Sequence, residues 1–260
     1  MLIYPQLGSG ALSQFPVRKR RRLRTVVNAA ADGSSVKLAD PAGEYTEWSL
    51  PYSQLTDEEL AALQQFFTAA EGSLNGFTFL DPTSNLLAWS DHLDNEVWIR
   101  GPLLAMASGV ADPRGGTNAW HLNNPAGGVQ SISQTIAAPG GYVYCFSAWL
   151  RSSADSTVTM FLGGRRADRA VSTGWTRAVL SVNGDPAQES ITFGLEIPAG
   201  AAIDVYGLQA EPQAGASVYK VSTTGGVYEN ARLRDDELTI TATGVNQHSC
   251  TVNIYYAKHL

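Results

Sequence analysis

Turn-forming clusters interrupt this chain so often that long helices have little room. Asp32-Gly33, Pro139-Gly140-Gly141, Gly163-Gly164, Asn183-Gly184 and Pro198-Ala199-Gly200 all separate short runs of apolar and polar residues. Such residues tolerate a positive φ or preset a turn, and alternation with period two marks half-buried strands. The candidate strands are 24–28, 44–50, 77–80, 120–122, 130–136, 142–151, 158–162, 175–182, 190–195, 203–209, 237–243 and 251–256. Short strands at this spacing predict a mainly β fold with a sandwich or jelly roll. Composition agrees, since 25 glycines and 12 prolines stand beside only 16% charged residues.

One segment reads otherwise. From Thr56 to Ala70 the spacing predicts a helix: Thr56 can cap the first turn, Glu59 completes a capping box, and Leu55 can staple onto Leu60. Leu60, Leu63, Phe67 and Ala70 form the expected buried stripe, with Asp57, Glu58 and Gln64 outward and Gly72 as the stop. Composition also shifts along the chain. The parts before about Pro82 and after about Ser222 are comparatively charged, and the part between them is rich in Gly, Ala, Ser and Trp. An inserted domain accounts for this: residues 1–82 with 222–260 would make one β-rich domain carrying the helix, and 83–221 a β-sandwich set into it. Met1 to Tyr4 runs directly into Pro5 and Gly8, so no secretory leader is expected. Apolar stretches break well short of the ~20 residues a bilayer requires, so no membrane insertion is expected. Cys145 and Cys250 sit in alternating runs and read as buried free thiols.

Chemistry-bearing constellations are sparse. His92, His121, His248 and His259 lack metal-site spacing, no Gly-x-Ser-x-Gly turn occurs, and the Gly-rich pieces lack a phosphate-loop ending. Asp235 with Asp236 and Glu58 with Glu59 are sequence neighbours, so their side chains diverge. No catalytic residue, metal or cofactor is therefore expected. The strongest electrostatic feature is Arg18, Lys19, Arg20, Arg21, Arg22 and Arg24, six of the 18 basic residues within seven positions. The net charge is −6, and the chain outside this segment carries −12. Such a cluster needs bulk water, paired acids or an anionic partner such as nucleic acid phosphate. In the middle segment Trp89, Trp98, Trp120, Trp149 and Trp175 accumulate with Tyr142, Tyr144, Tyr206 and Tyr219. Trp149 and Trp175 lie in strand runs and read as core. Trp89 and Trp98 flank the polar stretch Ser90 to Glu96 and are the candidates for a glycan contact, because an indole face stacks on sugar rings.

Two resemblances follow from specific residues. Leu55-Thr56-Asp57-Glu58-Glu59-Leu60, Phe66-Phe67 and Gly76-Phe77-Thr78-Phe79-Leu80-Asp81-Pro82, with Tyr4-Pro5, the basic run and Trp48 to Tyr52, resemble the N-terminal region of the distal tail (tail-tip) proteins of tailed phages and prophages, a family with relatives in gene-transfer-agent particles. Arg232 to Tyr256 resembles the returning strands of that domain. The resemblance implies a virion tail-tip location and a structural ring of identical subunits, commonly a hexamer. It also implies tail tube and tip or hub proteins as partners, with DNA passing the lumen. Asn85 to Ser90, Asp112 to Thr117, Phe146 to Arg151, Gly174 to Arg177 and Leu208 to Pro212 resemble the carbohydrate-binding-module-like jelly rolls of phage tails. No ligand set carries over from that pattern. Two functions are thus expected in competition: a ring platform joining tail tube to tip, or an adhesin that binds host-surface polysaccharide. In the first, the basic segment lies at a subunit joint against Asp235, Asp236 and Glu237 of a neighbour, or lines the lumen.

Overall fold

The computed structural model describes residues 2–258, and His259 lies outside them. The elements along the chain are β1 (Arg18–Ala29), β2 (Ser35–Leu55), α1 (Asp57–Ala70), β3 (Phe77–Leu80), β4 (Ile99–Arg100), β5 (Ala105–Val110), β6 (Ala119–Asn123), β7 (Gln130–Ile136) and β8 (Val143–Ser152). They continue with β9 (Ser156–Leu162), β10 (Arg165–Val171), β11 (Thr176–Asn183), β12 (Ile191–Ile197), β13 (Ala202–Glu211), β14 (Val227–Leu233), β15 (Ile240–Gly244) and β16 (Gln247–Tyr256). The fold is mainly β with one helix among the described residues. Contacts divide the chain into two compact units. The first comprises the residues up to Leu7, Ser13–Phe79 and the residues from Tyr228 onward; the second comprises Gly8–Leu12 and Leu80–Val227. The short piece Gly8–Leu12, expected in the outer domain, belongs to the second unit: a Cβ added at Gly10 would lie 2.9 Å from the Val143 side chain.

In the first unit the sheet runs β1-β2-β16-β14-β3, with β15 on β16. Period two sends Thr46, Trp48, Leu50 and Tyr52 of β2 to the buried face, beside Cys250, Val252 and Ile254 of β16. Trp48 packs on Phe79 and Tyr228, and Tyr4 is ringed by Phe66, Phe77 and Phe79. Each such side chain contributes roughly 1.5–3 kcal/mol by leaving water. The helix begins as its caps dictate. Thr56 accepts from the Glu59 N–H, and Glu59 accepts from the Thr56 N–H at 3.1 Å. The buried stripe is Leu60, Leu63, Phe66 and Ala70, so Phe66 takes the inward place expected for Phe67. Both positions fall within the width of one helical face, and the Tyr4 and Phe77 rings supply the partners for Phe66.

The basic segment is itself strand. β1 begins at Arg18, six residues before the expected start, because β2 supplies acids across the ladder. Arg20 donates to Glu47, Arg21 to Glu44, and Arg24 lies 3.2 Å from Asp40.

The second unit is a sandwich of two five-stranded sheets, β10-β9-β12-β7-β4 and β11-β8-β13-β6-β5. Tyr144, Phe146, Ala148 and Leu150 of β8 face inward, and Phe193 of β12 meets Tyr144 and Phe146 at 5.6 and 5.8 Å between ring centres. At Gly194 a Cβ would meet the Ile132 carbonyl oxygen at 2.6 Å, so no other residue fits there without displacement. The unit's two ends are joined by a hydrogen bond from Asp81 N–H to Gly226 O.

Thr56→Ala removes the capping box without touching the core. It is expected to cost about 1 kcal/mol of stability in urea unfolding followed by circular dichroism.

Candidate functional site

The outward face of the sheet β11-β8-β13-β6-β5 carries the densest set of functional side chains in the second unit. Antiparallel pairing sets Arg151 of β8 opposite Asp204 of β13, and Asp204 opposite His121 of β6. Partners across a ladder share a face, so three residues far apart in sequence form one row. The next row is Arg177 of β11, Trp149 of β8 and Tyr206 of β13. Beyond Tyr206 the register shifts. Gly207 adopts φ +67°, and the Tyr219 ring lies against it so closely that a Cβ would sit 3.1 Å from the ring. This bulge puts Gln209 and Glu211 on the outward face as well.

The face has two halves. Over Gln209 and Glu211 the returning chain forms a roof: Ser217 N–H donates to Glu211 at 2.9 Å, Lys220 Nζ lies 3.2 Å from Glu211, and both Gln209 and Glu211 are fully buried. The other half is open. Side-chain exposure there is 44% for His121, 28% for Arg151 and 18% for Asp204. A cavity of about 360 Å³ is lined by His121, Arg151, Ser152, Ser153, Thr173, Ala202 and Asp204.

Asp204 organises the open half. Its Oδ2 accepts from Arg151 Nε at 3.1 Å and Nη2 at 2.7 Å, and its Oδ1 lies 2.8 Å from His121 Nδ1. The Arg151 guanidinium lies 4.6 Å from the centre of the Trp175 ring, which fixes its plane. Trp149 and Trp175, read as core from their strand runs, are only half-buried and pack on the cluster of Ala119, Tyr206 and Tyr219. Arg177 donates from Nη2 to Ser147 Oγ at 2.9 Å, and its Nε is a buried donor with no acceptor among the described residues. Burial pushes the Tyr206 hydroxyl up, with Asp112 and Asp91 adding to the effect and Arg114 opposing it. Burial likewise raises the Cys145 thiol to about 11, helped by the charge of Glu211 and opposed by Arg177.

The residues expected to touch a glycan separate. Trp98 is 4% exposed and its indole N–H donates to the Trp89 carbonyl at 3.0 Å, so it offers no open ring face. Its candidacy as a glycan contact is corrected, because its ring is buried. Trp89 is 37% exposed and sits at φ +48°, a conformation rare for a bulky side chain. The Ser90 N–H bond to Ser222 O and the two donors on the Trp89 carbonyl, Trp98 Nε1 and the His92 N–H, hold it there. The row Arg151, Asp204 and His121 left no local signal in the sequence, because its members lie 53 and 83 positions apart. Their shared face could be found only once the strands were paired.

In the first unit the basic residues are brought together along β1. Arg18, Arg20 and Arg22 share the uncovered face with Tyr45, Glu47 and Ser49. Asp235, Asp236 and Glu237 line a separate cavity of about 1020 Å³ in the same unit. There Ser73 N–H and Oγ–H both donate to Asp236, holding its carboxyl below the usual range.

The open row presents a guanidinium edge, an imidazole and indole faces around a pre-held carboxylate, an arrangement suited to binding a polar, ring-shaped ligand. His121 with Asp204 is also two parts of a nucleophilic triad, and among the described residues no hydroxyl hydrogen-bonds the His121 Nε2.

No family model and no curated protein matches the chain. Solved structures do. A family 22 carbohydrate-binding module of Clostridium thermocellum Xyn10B is similar at 12% identity and a TM-score of 0.42, over 54% of this chain and 99% of that one. The enzymatically active domain of bacteriophage CBA120 tailspike protein 4 is similar at 14% identity and 0.40, over 50% of this chain and 22% of that one. The module TmCBM61, solved with β-1,4-galactotriose, is similar at 17% identity and 0.36, over 49% of this chain and 98% of that one. The chain thus spans about a fifth of the tailspike domain's length.

Burial and the raised thiol make Cys145 unreactive in the native state. Alkylation at pH 8 is expected to modify it only after unfolding, as read by mass spectrometry of the tryptic peptide.

Proposed function

We propose that the second unit is a non-catalytic polysaccharide-binding module, presented by the first unit at the tail tip of a phage or phage-like particle. The observation that carries the binding reading is the open row of Arg151, Asp204 and His121 beside Trp149 and Trp175. Neutral or charged, a sugar ring meets an indole by its C–H face and the row by its oxygens. Repetition of the chain around a tail would multiply a weak contact into useful avidity.

A glycan array probed with the full chain tests this. Trp175→Ala and Asp204→Asn are expected to weaken retention about tenfold or more, while Trp89→Ala leaves it unchanged. Loss with Trp89→Ala and not with Trp175→Ala would move the site to the 89–98 loop. Silence on the array, with particle adsorption intact after removal of residues 83–221, would sink the binding reading. Release of sugar products from host polysaccharide would overturn the non-catalytic part.

A second reading, that the first unit is a self-assembling ring platform between tail tube and hub, is favoured by the ribbon of β1 and β2. Between Arg24 and Asp40 at its base and the turn at Asp32, the two strands pair with no other strand among the described residues. Val27, Val36 and Leu38 stand at least half exposed there. A two-stranded ribbon alone is marginally stable in water, so a partner supports it. Pairing of two β1 edges would set arginine against arginine, which favours a head-to-tail contact with the acidic cavity of Asp235, Asp236 and Glu237. Arg20→Ser, Arg21→Ser and Arg22→Ser together are expected to abolish assembly, read as molar mass by light scattering. Normal rings with altered DNA ejection would place the segment in the lumen.

A further inference from the structure

We propose that the free edge of β1 is a docking strand, completed by an extended acidic segment of a partner protein that pairs with it as a further strand. This goes beyond the ring reading, which gives the arginine side chains a cavity to meet and leaves the backbone edge of β1 unassigned. β1 ends its sheet and is hydrogen-bonded to β2 alone among the described strands. From Arg20 to Ala29 no described loop or turn bonds to its other side, so alternate backbone N–H and C=O groups there point away from the sheet. Strand addition satisfies such groups, and side chains at alternate positions select the partner.

The 12 residues of β1 hold six cations and no carboxylate. Arg20, Arg21 and Arg24 meet Glu47, Glu44 and Asp40, all supplied by β2 on the side away from the free edge. Lys19 lies over the Trp48 and Tyr228 rings. Arg18 meets no acid among the described residues, and Arg22 meets the ring and hydroxyl of Tyr45. Arg18, Arg20 and Arg22 share the uncovered face, so an added strand with acids at every second position sets one opposite each. Beyond the register shift between Arg22 and Arg24, β1 continues as Thr25, Val26 and Val27, which fits uncharged, β-branched residues at the other end of the segment. A second β1 is excluded, because arginine would stand opposite arginine. No other edge strand of this chain supplies the acids. β3, β5 and β15 are uncharged, β4 and β11 carry one arginine each, and β10 sets three arginines beside Asp168. Asp235, Asp236 and Glu237 are consecutive, so their side chains alternate in direction, and the first two are held by Asn253 and Ser73. The segment therefore comes from a different protein.

The probe is a synthetic peptide of about ten residues in which glutamate alternates with threonine, titrated onto the full chain by calorimetry. It is expected to bind at least tenfold more tightly than the same peptide with glutamine for glutamate, which pairs without opposite charges. Hydrogen exchange is expected to slow in Arg18–Ala29 and not in the edge strand β15. Backbone N-methylation separates strand addition from charge attraction. Methylating one alternate set of residues is expected to abolish binding and methylating the other to leave it, because only one edge of the added strand faces β1. Arg18→Ser with Arg22→Ser is expected to weaken binding about tenfold, with the circular dichroism spectrum unchanged. Binding that survives both methylated sets, or that leaves exchange in β1 unchanged, would overturn the proposal. Equal binding by a single-stranded oligonucleotide of the same charge would overturn it too, since the cations would then be a general polyanion site. So would slowed exchange in β1 on concentrating the chain without peptide, which would make a second copy the occupant. A monomeric molar mass in light scattering would sink the ring reading and leave the docking strand standing.

Discussion

The register of β13 between β8 and β6 is the constraint from which the candidate site follows. It brings Arg151, Asp204 and His121 into one row although the hydrogen-bonded pairs lie 53 and 83 residues apart. A slip by one residue would send Asp204 into the apolar interior and Val205 out to solvent, so burial of Ile203, Val205, Leu208 and Ala210 fixes the register that the polar row needs. The bulge at Gly207 then changes phase, which is why Leu208 and Ala210 are buried against the core while Gln209 and Glu211 lie under the roof. Hydrophobic packing on one side of the strand thereby positions the hydrogen-bonding groups on the other.

The two units use charge differently. On the sandwich a carboxylate is held between a guanidinium and an imidazole, and the low exposure of Asp204 keeps its pair with Arg151 from being screened as fully as a surface pair would be. On β1 the pairs Arg20 with Glu47 and Arg21 with Glu44 are exposed on the arginine side, where water and salt screen them. They relieve repulsion among neighbouring cations, and Glu47 also meets Arg234 at 2.9 Å, which ties this part of β1 and β2 to the segment after β14.

Much of the fold was legible. The capping box, the strand 130–136 and the strand 77–80 lie where local pattern puts them, because caps and period-two burial are properties of adjacent residues. Strands β4, β5, β10 and β14 were not read. Arg165–Val171 is a largely exposed edge strand, so solvent erases the alternation, and Ala105–Val110 is built from small residues with little contrast. Strand β4 has two residues and exists only by pairing with β7. Trp149 and Trp175 illustrate a subtler limit. Alternation establishes that Trp149 shares a face with Ser147 and Arg151, but it cannot say which face is covered.

The sequence by itself determined the class of fold, the helix with its caps, the turns and the location of the basic segment, since each depends on residues within a few positions of one another. Tertiary structure decided that the basic segment is a strand paired with its own acids, that Trp98 is buried while Trp89 is not, and that an arginine, an aspartate and a histidine from three strands share one open surface. The physical reason is that β pairing joins distant segments. Which side chains meet depends on a register set by the burial of the whole core, and no short stretch of residues contains that information.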